Sequence, residues 1–305
     1  AMRNASLFAN VLHALSWLLG RLPFFLLHAV GTALGQCVYW LGGREARVTR
    51  RNLDLVRPRI SARQRDLLAA AVLREVGRNS LRTLRFWARP WHNNRAQIAQ
   101  VHGEALLHAA LAHGRGVIIA APHYGSWELL NQFLASQAPI TLVYRPPQSA
   151  IVEQYLLRVR GRAGVTQVPA RRTGVRSLLR ALHAGGMVGI LPDQRPKAGE
   201  GAFAPLFGIQ TQTMTLLTGL ARRTGASVLF AIAERRPGCF RSRYEVHFLP
   251  ADAAIGGSDE AAALAALNAG IAAIAQRDPL QYQWNYKRFN VRPLDSGETD
   301  PYLRR

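Results

Sequence analysis

"GVIIAAPHYGSWE", residues 116–128, decides how the chain folds. Val117 to Ala121 is an unbroken apolar run, bounded by Gly116 and Pro122. It has the length of a strand, and its lack of alternation marks a strand buried on both faces. Such strands belong to parallel sheets covered by helices. Pro122 ends the run, Gly125 permits a tight turn, Ser126 suits an N-cap and Trp127 opens a helical pattern. His123 therefore leaves the carboxyl end of a buried strand, where open α/β sheets place their ligands. Glu128 follows in the first helical turn. On one helix the two side chains would face apart, but a strand-turn-helix corner can fold them together. A carboxylate on one imidazole nitrogen fixes the tautomer and frees the other nitrogen to take a proton from a hydroxyl. "YGSWE" is not a G-x-S-x-G nucleophile elbow. The expectation is that His123 activates a substrate hydroxyl directly. A serine hydrolase using Ser126 is the alternative.

Downstream of Val101 the pattern repeats. Strands are expected at Ile140–Tyr144, Val165–Val168, Met187–Leu191, Ser227–Ala233 and Tyr244–Phe248. Helices are expected at Trp127–Ser136, Ala150–Arg160, Gly174–His183, Thr213–Arg223 and Asp259–Gln276. Strands alternating with amphipathic helices give an α/β fold, a mostly parallel central sheet with helices on both faces.

Upstream, residues 22–43, "LPFFLLHAVGTALGQCVYWLGG", contain no Asp, Glu, Lys or Arg. The run is long enough to span or deeply enter a bilayer, and Trp17, Tyr39 and Trp40 flank it as interface aromatics. Pro23, His28, Gln36 and the glycines weigh against a full span, and a buried core helix is the other reading. No clean small-x-small site marks it as a cleaved signal peptide. The expectation is an N-terminal hydrophobic membrane-anchoring helix within residues 1–43, then a catalytic domain over 44–305, with a basic helical part at 44–100 and the α/β part at 101–290. Ala1 ahead of Met2 reads as a residue left by a tag.

Residues 44–95 hold fourteen arginines against Glu45, Asp54, Asp66 and Glu75. By the positive-inside rule this flank is cytoplasmic. Ser61-Ala-Arg-Gln64 reads as a capping box opening a helix that runs to about Arg89. Arg74, Arg78, Arg82, Arg85 and Arg89 fall within an arc of roughly 80° on it. The expectation is an exposed ribbon, either a plain solvated face or a docking strip for anionic head groups or an acidic protein. The whole chain carries a formal net charge of +21, which favours anionic partners. No nucleic-acid module is recognisable, and the apolar N-terminus opposes that class. Cys37 and Cys239 are far apart and read as reduced and structural, which excludes a disulfide scaffold. The nine histidines are scattered, so neither a metal nor a bound cofactor is expected.

Several further segments carry a resemblance. They are "RRNLDLVRP" at 50–58, "GRGVIIAAPHYGSWE" at 114–128, "VYRPPQS" at 143–149, "GMVGILPDQRP" at 186–196, "APLFG" at 204–208, "TGLARRTGASVL" at 218–229 and "QYQWNYKRFN" at 281–290. In order and wording they resemble the bacterial lipid A biosynthesis acyltransferases, the lauroyl and myristoyl transferases of the lysophospholipid acyltransferase superfamily. The resemblance implies an inner-membrane enzyme, single-pass or monotopic, with its catalytic domain on the cytoplasmic side. It implies transfer of a fatty acyl chain from an acyl carrier protein thioester to a hydroxyl of a lipid A precursor. In the H-x-x-x-x-E element, His123 matches the general base and Glu128 its acidic partner. The Leu191–Arg195 segment matches a second block, making Asp193 and Gln194 site candidates. Arg145 and Arg160 are candidates for binding a phosphate or the developing oxyanion. Pro205-Leu206-Phe207-Gly208 departs from an aromatic-rich "PFFG" pattern. The alternative is the same chemistry on another membrane lipid, such as an aryl polyene, ornithine lipid or mannosylated lipid.

Overall fold

The computed structural model describes residues 2–161, 164–170, 172–236 and 243–303. Helices α1 (Met2–Arg21), α2 (Phe24–Leu41), α3 (Arg44–Val56), α4 (Ala62–Ala88) and the short α5 (Trp91–Arg95) come first. The α/β part follows as β1 (Ile98–His102), α6 (Glu104–Ala112), β2 (Val117–Ala120), α7 (Trp127–Gln137), β3 (Ile140–Tyr144), α8 (Ala150–Arg160), β4 (Val165–Pro169), α9 (Arg172–His183) and β5 (Met187–Ile190). It continues through β6 (Gly201–Leu206), β7 (Ile209–Met214), α10 (Leu216–Thr224), β8 (Ser227–Arg236), β9 (Arg243–Pro250) and α11 (Glu260–Arg277).

The main sheet has seven strands in the order β1-β9-β8-β2-β5-β3-β4. Every neighbouring pair is parallel except β8 with β9. The mostly parallel α/β fold is as the sequence led us to expect. Strand β2 is central, and all four of its residues are buried. Ile118 and Ala120 pack in one core with Leu182 of α9, Leu217 of α10 and Ile271 of α11. Val117 and Ile119 pack in a second core with Leu107 of α6 and Leu130 and Phe133 of α7. Successive side chains point to opposite faces, so the unbroken apolar run is what a strand between two cores requires.

Strand β1 and the antiparallel pair β6–β7 are additions to the expected elements. The pair closes through Phe207 (φ 53°) and Gly208 (φ 77°), a two-residue loop with both central residues left-handed. The helix expected from Thr213 begins instead at Leu216, because Thr213 belongs to β7 and its Oγ1 accepts a 2.7 Å bond from Asn268 Nδ2 of α11.

The capping box forms as read. Ser61 Oγ accepts from the Gln64 amide at 3.2 Å, and the Ser61 amide donates to Gln64 Oε1 at 2.9 Å. The arginine ribbon of α4 is not exposed. Arg74 donates to Gln36 Oε1 (2.9 Å) and Arg78 Nε to Thr32 Oγ1 (2.7 Å). Arg82 meets Glu75 (2.7 Å) and His28 Nδ1 (3.3 Å), and Arg85 donates to the carbonyls of Gly20 (2.9 Å) and Leu22 (2.7 Å). Arg89 also reaches the Gly20 carbonyl, at 3.2 Å. The ribbon is the seam on which α1 and α2 rest. Its partners are oxygens and a ring nitrogen of those helices, plus Glu75 of α4 itself, which no count of acids on the stripe reveals. Gly31 and Gly35 of α2 face Gly77 and Leu73 of α4 so closely that a Cβ at any of the three glycines would overlap backbone atoms.

Helix α2 is long and apolar enough to cross a membrane. Its nine exposed residues are Phe25, Leu26, Ala29, Val30, Ala33, Leu34, Cys37, Trp40 and Leu41. All are apolar or weakly polar, and at 100° per residue they fill one half of the helix. Cys37 is thus exposed and free, not a core residue, while Cys239 lies outside the described residues.

Candidate active site

The corner after β2 is held by backbone bonds on every side. The Ala121 amide donates to the Ile190 carbonyl (2.9 Å), Gly125 to Gln281 (3.0 Å) and Ser126 to Ala233 (2.9 Å). The Gln283 amide donates to the His123 carbonyl (3.1 Å). Gly125 has φ 59°, and a Cβ there would overlap the Ala233 carbonyl of β8, so the turn accepts only glycine.

This corner aims His123 at Asp193, just beyond β5. Strands β2 and β5 are in register at Ala120 and Ile190, so the loops after them emerge side by side. Asp193 Oδ1 lies 2.7 Å from His123 Nδ1, and its Oδ2 accepts from the His123 amide at 2.9 Å. The Asp193 side chain is nearly sealed from solvent. Burial opposes its ionisation, but the adjacent imidazole and the hydrogen bonds from His123 outweigh that and hold the carboxyl below the usual carboxylate range. Tyr282, buried beside Asp193, has its phenol pushed well up by burial and then by that carboxylate, so it stays neutral.

The other imidazole nitrogen, Nε2, lies 3.2 Å from Gln194 Nε2. That amide also donates to Gln283 Oε1 at 3.0 Å. An NH2 group facing Nε2 assigns this nitrogen as the acceptor and places the ring proton on Nδ1, toward Asp193. In this tautomer the ring presents its unprotonated nitrogen on the groove side.

Asp193, not Glu128, supplies the carboxylate on the imidazole. Glu128 is buried, and its Oε1 takes two bonds from Arg160, at 2.8 Å from Nε and 2.6 Å from Nη2. Arg160 ends α8 and outcompetes a neutral ring for that carboxylate. Trp127 stands between the two pairs. Its ring lies 6.0 Å from the imidazole, edge-on, and carries the Arg160 guanidinium at 4.6 Å. So Glu128 and Arg160 brace the wall of the site, and Arg160 is committed to Glu128. Arg145 follows β3 at the same end of the sheet and is exposed, with no hydrogen bond or ion pair to the described residues. Ser126 precedes α7 without capping it; its Oγ is buried and has no bond to His123. The nucleophile–base contact that a serine hydrolase needs is not made.

A groove of about 430 Å³ opens on His123, between α4 and the loop at 280–285. Val76, Leu84, Trp87, Trp127 and Leu280 give it an apolar lining, and Asn79, Ser80 and Thr83 a polar one. Glu75 also lines it. It is buried and holds three guanidinium groups, those of Arg82 (2.7 Å), Arg235 (2.7 Å) and Arg78 (3.4 Å). Burial opposes its charge, but the arginines hold its carboxyl below the usual range. Gln283 and the Glu75–Arg235 pair went unread in the sequence. The "QYQWNYKRFN" segment flagged the neighbourhood of Gln283 without giving it a role.

The histidines are less scattered in space than in sequence. His102 and His247 are register partners on β1 and β9, their rings 4.5 Å apart and 9° from parallel. Glu245 Oε2 lies 3.2 Å from His102 Nε2 and 3.6 Å from His247 Nε2. The three donors lie within 4.8 Å of one another. A metal ion binds in the plane of each imidazole, so one ring must turn before both can ligate. Arg236 already occupies the other Glu245 oxygen at 2.6 Å. As it stands His102 is hydrogen-bonded to Glu245 at the sheet edge, and His247 Nε2 has no hydrogen-bond partner among the described residues.

The chain is 29% identical over 289 residues to the lipid A biosynthesis palmitoleoyltransferase of Escherichia coli (strain K12), covering 94% of this chain and 92% of that protein. It is 27% identical over 279 residues to the lipid A biosynthesis lauroyltransferase of the same organism, covering 91% and 89%. Residues 4–291 match the family described as bacterial lipid A biosynthesis acyltransferase. With nearly its whole length matched, the chain belongs to the bacterial lipid A biosynthesis acyltransferase family.

Proposed function

We propose that the protein moves a fatty acyl chain from an acyl carrier protein thioester to a hydroxyl of a lipid A precursor, on the cytoplasmic face of the inner membrane. The observation that carries this reading is His123, its Nδ1 tied to buried Asp193 and its Nε2 turned to the groove. The acceptor hydroxyl takes the place of Gln194 on Nε2. As its oxygen attacks the thioester carbonyl, its proton passes to Nε2, and Asp193 stabilises the imidazolium. The carbon–sulfur bond then breaks, and the departing thiol takes the proton back from His123. No covalent acyl-enzyme is needed. Gln194, held by Gln283, stands within reach of the tetrahedral oxygen as a donor. The apolar wall of the groove suits an alkyl chain. Arg145, exposed beside the site, is the arginine left to meet an anionic group of donor or acceptor. The charge of +21 suits an acidic carrier protein and anionic lipid, and the apolar half of α2 suits a bilayer.

The test is direct. Purified protein is incubated with acyl carrier protein charged with a fatty acid and with lipid A precursor in mixed micelles. The lipids are then weighed by mass spectrometry. One added acyl group on the precursor is expected. Transfer to other membrane glycolipids with none to the precursor overturns the acceptor. Transfer from acyl-coenzyme A with none from the carrier protein overturns the donor.

A further inference from the structure

The contacts along α4 constrain how the N-terminal helices meet lipid. We infer that α1 and α2 lie within one leaflet, parallel to the membrane surface, and that α2 does not cross the bilayer. This rests on the membrane reading above. The partner is the headgroup and upper acyl region of a bilayer with anionic lipid.

Three observations carry it. The first is the division of α2. Its exposed half is apolar, while the other half carries the groups bonded to α4, His28, Thr32 and Gln36. A helix that crosses alone is apolar all round, whereas one that lies in the interface has an apolar and a polar side.

The second is the length of the arginine seam. Arg74 contacts Gln36, Arg78 Thr32, Arg82 His28 and Arg85 the Leu22 carbonyl. From Gln36 to Phe24, where α2 begins, is 12 residues, roughly 18 Å of helix at 1.5 Å per residue, and the Leu22 contact lies just beyond it. The hydrocarbon core is about 30 Å thick. Were α2 to stand upright, α4 would stand with it and carry guanidinium groups through the middle of the core, where they are costly. Laid flat, all four sit at one depth, on the side of α2 that faces α4 and away from its apolar half.

The third is that the helices are not free to swing away. Gly31, Gly35 and Gly77 bring α2 and α4 into backbone contact, and Arg85 ties both sides of the α1–α2 junction. Basic residues stand at both ends of α2, Arg21 before it and Arg44 after it. Trp17, with Arg21 over its ring at 3.6 Å, and Trp40 supply interface aromatics near the two ends.

The experiment uses the full chain with Cys37→Ser and Cys239→Ser as background. Single cysteines are placed by Leu26→Cys, Val30→Cys and Leu34→Cys, with natural Cys37 as a fourth site. Each is labelled with bimane and bound to phosphatidylglycerol–phosphatidylethanolamine vesicles. Quenching by lipids carrying nitroxide at a shallow or a deep acyl position is then compared. The ratio of shallow to deep quenching is expected to agree within about twofold at all four sites, with shallow quenching the stronger. An N-terminal tag should be cleaved by external protease together with a C-terminal one. A label depth that rises to a maximum at the centre of α2, or an N-terminal tag protected inside vesicles, overturns the inference and leaves the membrane reading standing. Failure of the labelled chain to float with vesicles overturns both. Retained acyl transfer by each labelled variant verifies that its fold is intact.

Discussion

Asp193→Asn isolates the tie between base and carboxylate. Asp193 accepts two N–H groups of His123, from ring Nδ1 and from the backbone amide. Asparagine offers one oxygen and one NH2. If the oxygen keeps the backbone amide, the NH2 faces Nδ1 and favours the tautomer with its proton on Nε2. That ring cannot take a proton from the acceptor hydroxyl, and its Nε2–H meets the Gln194 amide donor-to-donor. A carboxylate-to-amide change at a base of this kind costs about 10⁴-fold in kcat, equivalent to about 5–6 kcal/mol at 1.36 kcal/mol per decade. The cost in stability is smaller. One buried donor left unmatched is worth about 1–3 kcal/mol, against about 5–15 kcal/mol for a folded domain. The variant should therefore fold, bind acceptor with nearly unchanged KM, and turn over about 10⁴-fold more slowly. Single-turnover transfer from a labelled acyl donor, with a thermal melt in parallel, measures both. If folded Asp193→Asn turns over within about tenfold of the parent, the dyad is not the base and the mechanism is wrong.

Glu128→Gln should reduce kcat by about tenfold, since its effect reaches His123 only through Arg160 and Trp127; a loss equal to that of Asp193→Asn would return Glu128 to the imidazole. Glu75→Gln leaves Arg82, only 2 % exposed, without its charged partner, and should cost about 3–5 kcal/mol of stability in a denaturant melt. Glu75 and Asp193 both have depressed carboxyl values in the folded chain. The stability they contribute is present above the ordinary carboxylate range of about 4 and is lost as pH falls through the lowered values. Stability measured against pH should therefore drop on the acid side of about pH 4, and Glu75→Gln should flatten that limb. Reversing Arg78, Arg82 and Arg85 together to Glu should loosen α1 and α2 from α4, seen as a lower Tm and as protease cutting near residues 21–24. An unchanged Tm with only a salt-dependent rise in KM for the donor would restore the exposed ribbon.

Features carried by local pattern were legible in the sequence. The β2 corner needed only an apolar run, a proline, a glycine and a helix start, and the α4 cap needed only Ser61 and Gln64. Distance in sequence hid the rest. Glu128 is five residues from His123 and Asp193 is seventy, yet register of β2 with β5 brings the distant one to the ring. The arginine stripe looked unneutralised because its partners are mostly backbone carbonyls and neutral side chains of helices upstream. The β6–β7 hairpin was missed although Leu206 and Ile209 flank a two-residue loop with glycine, because Thr211 and Thr213 continue smoothly into a helical pattern.

The central position of β2 has a cost during synthesis. Its two neighbours, β5 and β8, both lie downstream, the nearer some 70 residues away. At about 5–20 residues per second, a ribosome needs roughly 4–14 s to bring β5 out after β2. Throughout that interval Val-Ile-Ile-Ala stands with both hydrogen-bonding edges open, on a chain whose helix α2 is also apolar outside. A nascent strand of this kind is a template for pairing with other chains. On the membrane reading proposed above, early capture of α1 and α2 by lipid would spread the growing chains over the membrane and so shield the strand before its own neighbours exist.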